Sequence, residues 1–249
     1  MTDGANLTGE VPVARLDQLD RKAPLAEDLP PLESGDHLGA DEYLRRYEAM
    51  PERVRAQLID GIVYMSAAAN FDHGRHHALV AAWLTLYELG TPGCELLLAP
   101  TVVLGKKDVP EPDGVLRIAP AFGGQTRTRA RKLTGPPELA AEVADSSAAI
   151  DLHTKRTSYL RAGVLEYVVV VVRRCQVVWF VRDLDDYVPL APDGRGVLRS
   201  RAFPGLWLDP RAIIEDDTAL LQRVLERGLR SKEHRDFVRR IGKRARSRK

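Results

Sequence analysis

The sequence predicts an α/β (α+β) domain, with a central mixed β-sheet flanked by helices. Three observations carry this. Short runs rich in Val, Ile and Leu alternate along the chain with stretches of helical period. The run Val168–Val172 is apolar throughout, as expected of a central strand covered on both faces. Leu79, Val80, Trp83, Leu84 and Tyr87 keep the spacing of one buried helical stripe. At 249 residues, 44% hydrophobic and 29% charged, the chain can bury a sizeable core in one large domain or two small ones.

The elements follow in order. Residues 1–37 read as a flexible acidic leader, with Pro24, Pro30 and Pro31 and no sustained apolar period. A short helix is expected at 41–50, where Tyr43, Leu44 and Tyr47 share a face and Pro51 ends it. Two strand pieces over 56–65 flank an Asp60-Gly61 turn, a strong hairpin signal. The amphipathic helix covers 74–89 with Asp72 as its N-cap, and Gly90, Pro92 and Gly93 break it. Strands are expected at about 95–104 and 114–118. Gly123–Lys132 reads as an exposed loop or hairpin tip, followed by a strand at 138–144 and a helix at 151–162 that Gly163 ends. Strand 166–172 pairs with 176–182, with Asp185-Asp186 as the next turn. Short edge strands over 187–210 and a helical stretch over 217–240 complete the chain. The body of the domain is placed at 38–215, with a basic helical tail at 216–249.

Charge is unevenly spread although the net formal charge is only +2. Residues 1–40 carry eight acids against three bases, and residues 222–249 carry twelve Lys/Arg against three acids. A basic end suits a nucleic-acid partner and equally suits a solvated helix. The two cysteines, Cys94 and Cys175, form no CxxC pair, which argues against a disulfide framework or a cysteine zinc site and fits a reducing compartment. No signal peptide is visible and no apolar run is long enough to span a bilayer, so no membrane partner and a cytoplasmic location are expected. Phosphate loops of the GxxxxGK type, GxGxxG fingerprints and GxSxG elbows are lacking, which removes the common NTPase, dinucleotide and hydrolase readings.

The chemistry-bearing pattern is a split acidic motif. Glu111-Pro112-Asp113 starts one apolar run, Glu142 sits inside a second (Leu139–Val143), and Lys155 follows thirteen residues later. A carboxylate inside a buried strand is costly unless something pairs with it, and a divalent cation or a salt bridge would do so. Phosphodiester hydrolysis uses a metal, carboxylates that hold it, and a cation or base near the attacking water. Asp113 and Glu142 are hard oxygen ligands suited to Mg²⁺, with Mn²⁺ as substitute, and the Val143 backbone carbonyl offers a third oxygen. Lys155 would steady the water or the developing charge. Each residue also has a plain structural role open to it: Pro112-Asp113-Gly114 as a turn, Glu142 as a buried acid paired with an arginine, and Lys155 as the helix partner of Asp151.

These segments, taken together, resemble the "putative restriction endonuclease" family within the PD-(D/E)xK nuclease superfamily. The resemblance runs through Gln57-Leu58-Ile59-Asp60-Gly61, Met65-Ser66, His73-Gly74, Glu111-Pro112-Asp113 and Pro137–Val143. It continues through Asp151-Leu152, Lys155, Tyr159, Ala162-Gly163-Val164, Glu166-Tyr167 and Phe203–Leu208, over roughly 40–215. It implies a restriction-endonuclease-like core acting as a metal-dependent endonuclease on DNA, with the motif aspartate at Asp113 and the motif glutamate at Glu142. The superfamily lysine position is Ala144 here; the variant resembled moves that lysine to the following helix, at Lys155. Where the family usually has a glutamate, this chain has Gln57, an amide at the expected metal shell that brings no negative charge. Asp145 is expected to replace that charge in part.

Of the remaining signals, His73 and His77 have the i, i+4 spacing of zinc ligands but lack the HExxH glutamate, and His73 is expected at the rim of a nucleic-acid cleft. Arg127, Arg129, Arg131 and Lys132 form a basic tip suited to DNA-backbone contact. A homodimer is expected by analogy with nucleases that pair two cleft-bearing subunits. The rival readings are a catalytically decayed nuclease-fold protein that binds nucleic acid, and an interaction module that uses its basic C-terminal end without touching DNA.

Overall fold

The computed structural model describes residues 29–66, 70–145 and 147–247. Most of the expected acidic leader, residues 1–28, lies outside them. The helices are α1 (Ala40–Ala49), α2 (Phe71–Gly90), α3 (Arg156–Ala162), α4 (Pro210–Ile214), α5 (Thr218–Leu229) and α6 (Lys232–Arg246). The strands are β1 (Ala56–Ile59), β2 (Ile62–Met65), β3 (Cys94–Leu98), β4 (Val102–Val103), β5 (Gly114–Ile118), β6 (Arg127–Arg129), β7 (Lys132–Thr134), β8 (Leu139–Ala144), β9 (Glu166–Val171), β10 (Gln176–Asp183), β11 (Asp186–Pro189), β12 (Leu198–Arg199) and β13 (Trp207–Leu208).

The main sheet has six strands in the order β11-β10-β9-β8-β5-β3. Only β8 and β9 run parallel, and α3 connects them, so the sheet is mixed as expected. β8 and β9 are buried at every residue. Their alternation sorts side chains between two cores. Leu139, Ala141, Val143, Val168 and Val170 join the core with α2, α5 and α6. Ala140, Ala144, Tyr167, Val169 and Val171 join the other, with Tyr159 of α3. Glu142 falls between Ala140 and Ala144 and so projects on the α3 side of the sheet.

Several local expectations are refined. The β1–β2 hairpin turns on Asp60 and Gly61, both at positive φ (52° and 81°), the conformation that a two-residue Asp-Gly turn requires. α2 begins three residues earlier than expected, because Asn70 rather than Asp72 is its cap: the Asn70 side chain accepts from the His73 N–H. The stretch 95–104 splits, and β4 leaves the main sheet to pair with β7. The turn before β11 falls on Leu184-Asp185, since Asp183 pairs with Asp186. The helix expected at 151–162 opens with a π-helical turn, Ile150–Lys155, before α3. The C-terminal helical stretch is two helices, broken at Arg230-Ser231, where the Ser231 side chain caps α6 by accepting from the His234 N–H. Among the described residues, no helix is long and apolar enough to cross a membrane.

Candidate active site

The site is built where β5, β8 and the helical segment after β8 meet. β5 and β8 are antiparallel, with Gly114 opposite Ala141 and Val115 opposite Ala140. One step beyond this ladder, Asp113 lies opposite Glu142, on the same face of the sheet. The register extended by one step thus brings the two motif carboxylates close enough for Asp113 to act electrostatically on Glu142. The Val143 N–H donates to Asp113 Oδ2 at 2.7 Å, fixing the aspartate against the neighbouring strand.

Lys155 reaches this face from the π-helical turn. Its Nζ stands 2.9 Å from Glu142 Oε1 and 2.9 Å from Asp151 Oδ1, the latter an ion pair without hydrogen-bond alignment. The Tyr159 hydroxyl donates to Glu142 Oε1 at 2.9 Å, and Ser147 Oγ donates to Asp151 Oδ2 at 2.6 Å. Asp151, Lys155 and Tyr159 are spaced i, i+4, i+8, which brings all three to one side of the helical segment, toward Glu142. Glu142, Asp151 and Lys155 are all buried, whereas the Asp113 side chain is 23% exposed, so the group opens to solvent on the Asp113 side.

Burial dominates the electrostatics. Desolvation pushes the Glu142 carboxyl up to about 8, against the pull of Lys155, and the Asp151 and Asp113 carboxylates push the same way. Desolvation works to lower the Lys155 pKa, but Glu142 and Asp151 together outweigh it and hold the ammonium above its ordinary range. Lys155 is therefore a fixed cation and Glu142 a carboxyl poised to gain or lose a proton.

The other expected residues are placed as follows. The Gln57 side chain, on β1, has its Oε1 buried with no hydrogen-bond partner. β1 runs beside Val109, in the segment leading to Asp113, through the Leu58–Val109 bridge. Glu111 is taken up structurally: Oε1 accepts from Tyr47 at 2.8 Å and Thr101 at 3.0 Å, and Oε2 from Arg55 at 3.4 Å. Asp145 has both oxygens engaged, with Arg173 at 2.6 Å and Asn70 at 2.7 Å. His73 Nε2 lies 3.9 Å from Asp113 Oδ2, its Nδ1 is buried without a partner, and its ring stacks on His77. His77 Nε2 donates to the Asp113 carbonyl at 3.3 Å, so both histidines of the pair border the acid. Arg127 donates to the Gly124 and Thr126 carbonyls, Lys132 pairs with Glu48, and Arg129 and Arg131 are exposed at the β6–β7 tip.

The Asp151–Lys155 helix pair expected from sequence is present, and two contributors go beyond the residues assigned roles from sequence: Tyr159 as donor to Glu142 and Ser147 as anchor of Asp151. The i+4 spacing from Lys155 was the available signal for Tyr159. Ser147 carried none. A surface recess of about 320 Å³ lies on the outer side of α3, lined by Asp60, His153, Arg156 and Arg161, and is distinct from the carboxylate pair.

Mg²⁺ and Mn²⁺ take hard oxygen donors, and Mg²⁺ keeps several waters while using one or two carboxylates. Among the described residues, no three Asp, Glu, His or Cys side chains gather as a cation cage. In donor type the Asp113 and Glu142 carboxylates nonetheless fit such a hydrated ion, and Gln57 on β1 offers a buried amide oxygen without a partner.

A model of the family described as Uma2, putative restriction endonuclease, matches residues 40–211. A solved structure described as a putative nuclease belonging to DUF820 from Anabaena variabilis is similar, with a TM-score of 0.56 at 13% identity, over 72% of this chain and 98% of that one. That likeness establishes a shared fold. No curated protein matches the chain. The family match takes in β1, α2, β5, β8, the π-helical turn and α3, every element that forms the carboxylate–lysine group, and the chain belongs to the Uma2 putative restriction endonuclease family.

Proposed function

We propose that this protein is a metal-dependent DNA endonuclease with a PD-(D/E)xK-type site in which the lysine has moved to the following helix. The observation that carries the reading is the Asp113–Glu142 cross-strand pair with Lys155 ion-paired to Glu142. Asp113, Glu142, the Val143 carbonyl and Gln57 Oε1 would hold Mg²⁺ or Mn²⁺, with Asp145 held aside by Arg173 and Asn70. Once bound, such an ion neutralises phosphate charge and acidifies a water. Lys155 keeps Asp151 as partner if Glu142 turns to another ligand, so its positive charge stays beside the reacting phosphate and favours the charge that develops there. Asp113, fixed by the Val143 N–H, stands at the solvent-facing side where a DNA strand would enter, with His73 beside it. Arg129 and Arg131 offer backbone contacts at the β6–β7 tip. A homodimer would place two such sites on the two strands of a duplex.

The test is cleavage of supercoiled, linear and single-stranded DNA with Mg²⁺ or Mn²⁺, comparing wild type with Asp113→Ala and Lys155→Ala. Metal-dependent nicking lost in both variants supports the reading. A second reading, a decayed site in a nucleic-acid-binding protein, is favoured by Gln57 alone. It predicts a folded wild type with no cleavage and no Mg²⁺-dependent thermal stabilisation.

A further inference from the structure

Beyond the family-matched segment, α6 presents a cationic surface at the far end of the sheet from Asp113. Its apolar side is committed: His234, Phe237 and Ile241 are buried in the main core. Its outer side carries Arg239, Arg240, Lys243 and Arg244, all exposed, which with Asp236 line a recess of about 530 Å³. Arg239 and Lys243, and Arg240 and Arg244, are like-charge i, i+4 pairs, which disfavour a helix unless something compensates. Elsewhere the fold pairs its arginines freely, as with Arg75–Asp216, Arg117–Glu95 and Arg211–Asp209. Here Asp236 serves Arg239 and Lys232, and Arg240, Lys243 and Arg244 have no acidic partner among the described residues. Arg240 lies over the Phe237 ring, and the Arg244 side chain rests above Gly123, where a Cβ would meet its Cδ at 3.1 Å. The cations are thus held on a rigid, docked helix.

We infer that the α6 recess is a second nucleic-acid contact, binding the phosphate backbone of duplex DNA away from the cleavage centre; this rests on the nuclease reading. Four cations against one acid match a polyanion, and guanidinium groups pair phosphate in a fork. A lipid surface fits poorly, because an interfacial helix needs its apolar face free and that of α6 is buried. α6 packs against the turn Pro120–Phe122 that follows β5, while Asp113 precedes β5. Along the strand the two are roughly 20 Å apart at about 3.3 Å per residue, and α6 packs on the face of the sheet opposite Glu142. A duplex contacting both would be held by a backbone grip that reads no sequence.

The experiment measures binding of full-length protein to a labelled duplex in EDTA, across a salt series, with anionic phosphatidylserine vesicles as a parallel arm. Arg239→Gln/Arg240→Gln/Lys243→Gln/Arg244→Gln is compared with the charge-keeping Arg239→Lys/Arg240→Lys/Arg244→Lys. The expected result is a loss on the order of tenfold or more in duplex affinity for the glutamine variant, with a log–log salt slope shallower by roughly 2–4, and for the lysine variant a wild-type salt slope with a smaller loss of affinity. Equal affinity and slope in wild type and a folded glutamine variant would overturn the inference, as would binding to vesicles but not to duplex. Cleavage is scored separately in Mg²⁺. Cleavage with unchanged binding defeats only the α6 contact, and slope loss without any cleavage defeats only the nuclease reading.

Discussion

Lys155 Nζ and Glu142 Oε1 are 2.9 Å apart, with their side chains only 4% and 5% exposed. Removing one member of a buried pair strands the other, at a cost of about 3–5 kcal/mol. Glu142 has an escape, because its carboxyl is already pushed up to about 8 and can be protonated. Lys155→Met should therefore destabilise the fold less near pH 6 than near pH 9. Urea unfolding at the two pH values checks this, and an equal loss at both would mean that Glu142 is not the group left stranded.

If Glu142 is a metal ligand, it would link proton and metal. Between about pH 4.5 and about 8, burial favours a proton on this residue in the folded chain that the unfolded chain has released. The contribution to stability is present in full below about 4.5 and is lost as pH rises through about 8. A cation bound to the carboxylate has to displace that proton. Mg²⁺ binding at pH 7 should release on the order of one proton and tighten as pH rises toward the Glu142 value. Calorimetry in buffers of different ionisation heat measures the release, and a binding heat independent of buffer would count against Glu142 as a ligand.

Much of this was legible before the structure, and the reason differs by residue. Glu142 within an apolar run and Asp113 just before one were legible as a strand residue and a strand-start residue, and the register of β5 and β8, extended by one step, sets them opposite each other. Spacing alone read Lys155 as the helix partner of Asp151, and the family resemblance was what implied its place beside Glu142. What spacing does not carry is the π-helical turn from which Lys155 reaches Glu142, since a π-turn differs from an α-turn by one hydrogen-bond step and leaves no compositional mark. Asp145 illustrates the opposite case. Proximity in sequence to Glu142 suggested a shared role, but two residues distant in sequence, Asn70 and Arg173, claim its oxygens. The split of the C-terminal helix turned on Ser231, whose capping signal sits inside a continuous helical period.

Asp113 has two separable duties. Its Oδ2 accepts the Val143 N–H at 2.7 Å, and its charge would meet the cation. Asp113→Asn keeps an acceptor for the N–H and removes the charge. Stability should change by less than about 1 kcal/mol, the size of one ordinary hydrogen bond. Metal-dependent cleavage should fall by roughly 100-fold or more, as when a charge-stabilising group is lost from an active site. Urea midpoints together with single-turnover cleavage separate the duties. Retained cleavage would remove Asp113 from the metal shell, and a large loss of stability would make its role structural.

Gln57 tests the departure from the family pattern. Its Oε1 is buried without a partner, so the position already bears the cost of an unsatisfied oxygen. Gln57→Glu adds a negative charge at nearly constant volume. Without metal that charge is placed where the Gln57 amide oxygen has no hydrogen-bond partner, and the metal-free variant should lose about 1–3 kcal/mol or take up a proton instead. With metal the same charge becomes a ligand, and Mg²⁺ affinity should rise on the order of tenfold, about 1.4 kcal/mol. The two effects have opposite signs, so the Mg²⁺-induced rise in Tm should be larger in the variant than in wild type even though its metal-free Tm is lower. Thermal unfolding across a Mg²⁺ titration reads both at once. A lower Tm with no added Mg²⁺ response would place Gln57 outside the shell, and its orphaned oxygen would then belong to packing rather than to metal binding.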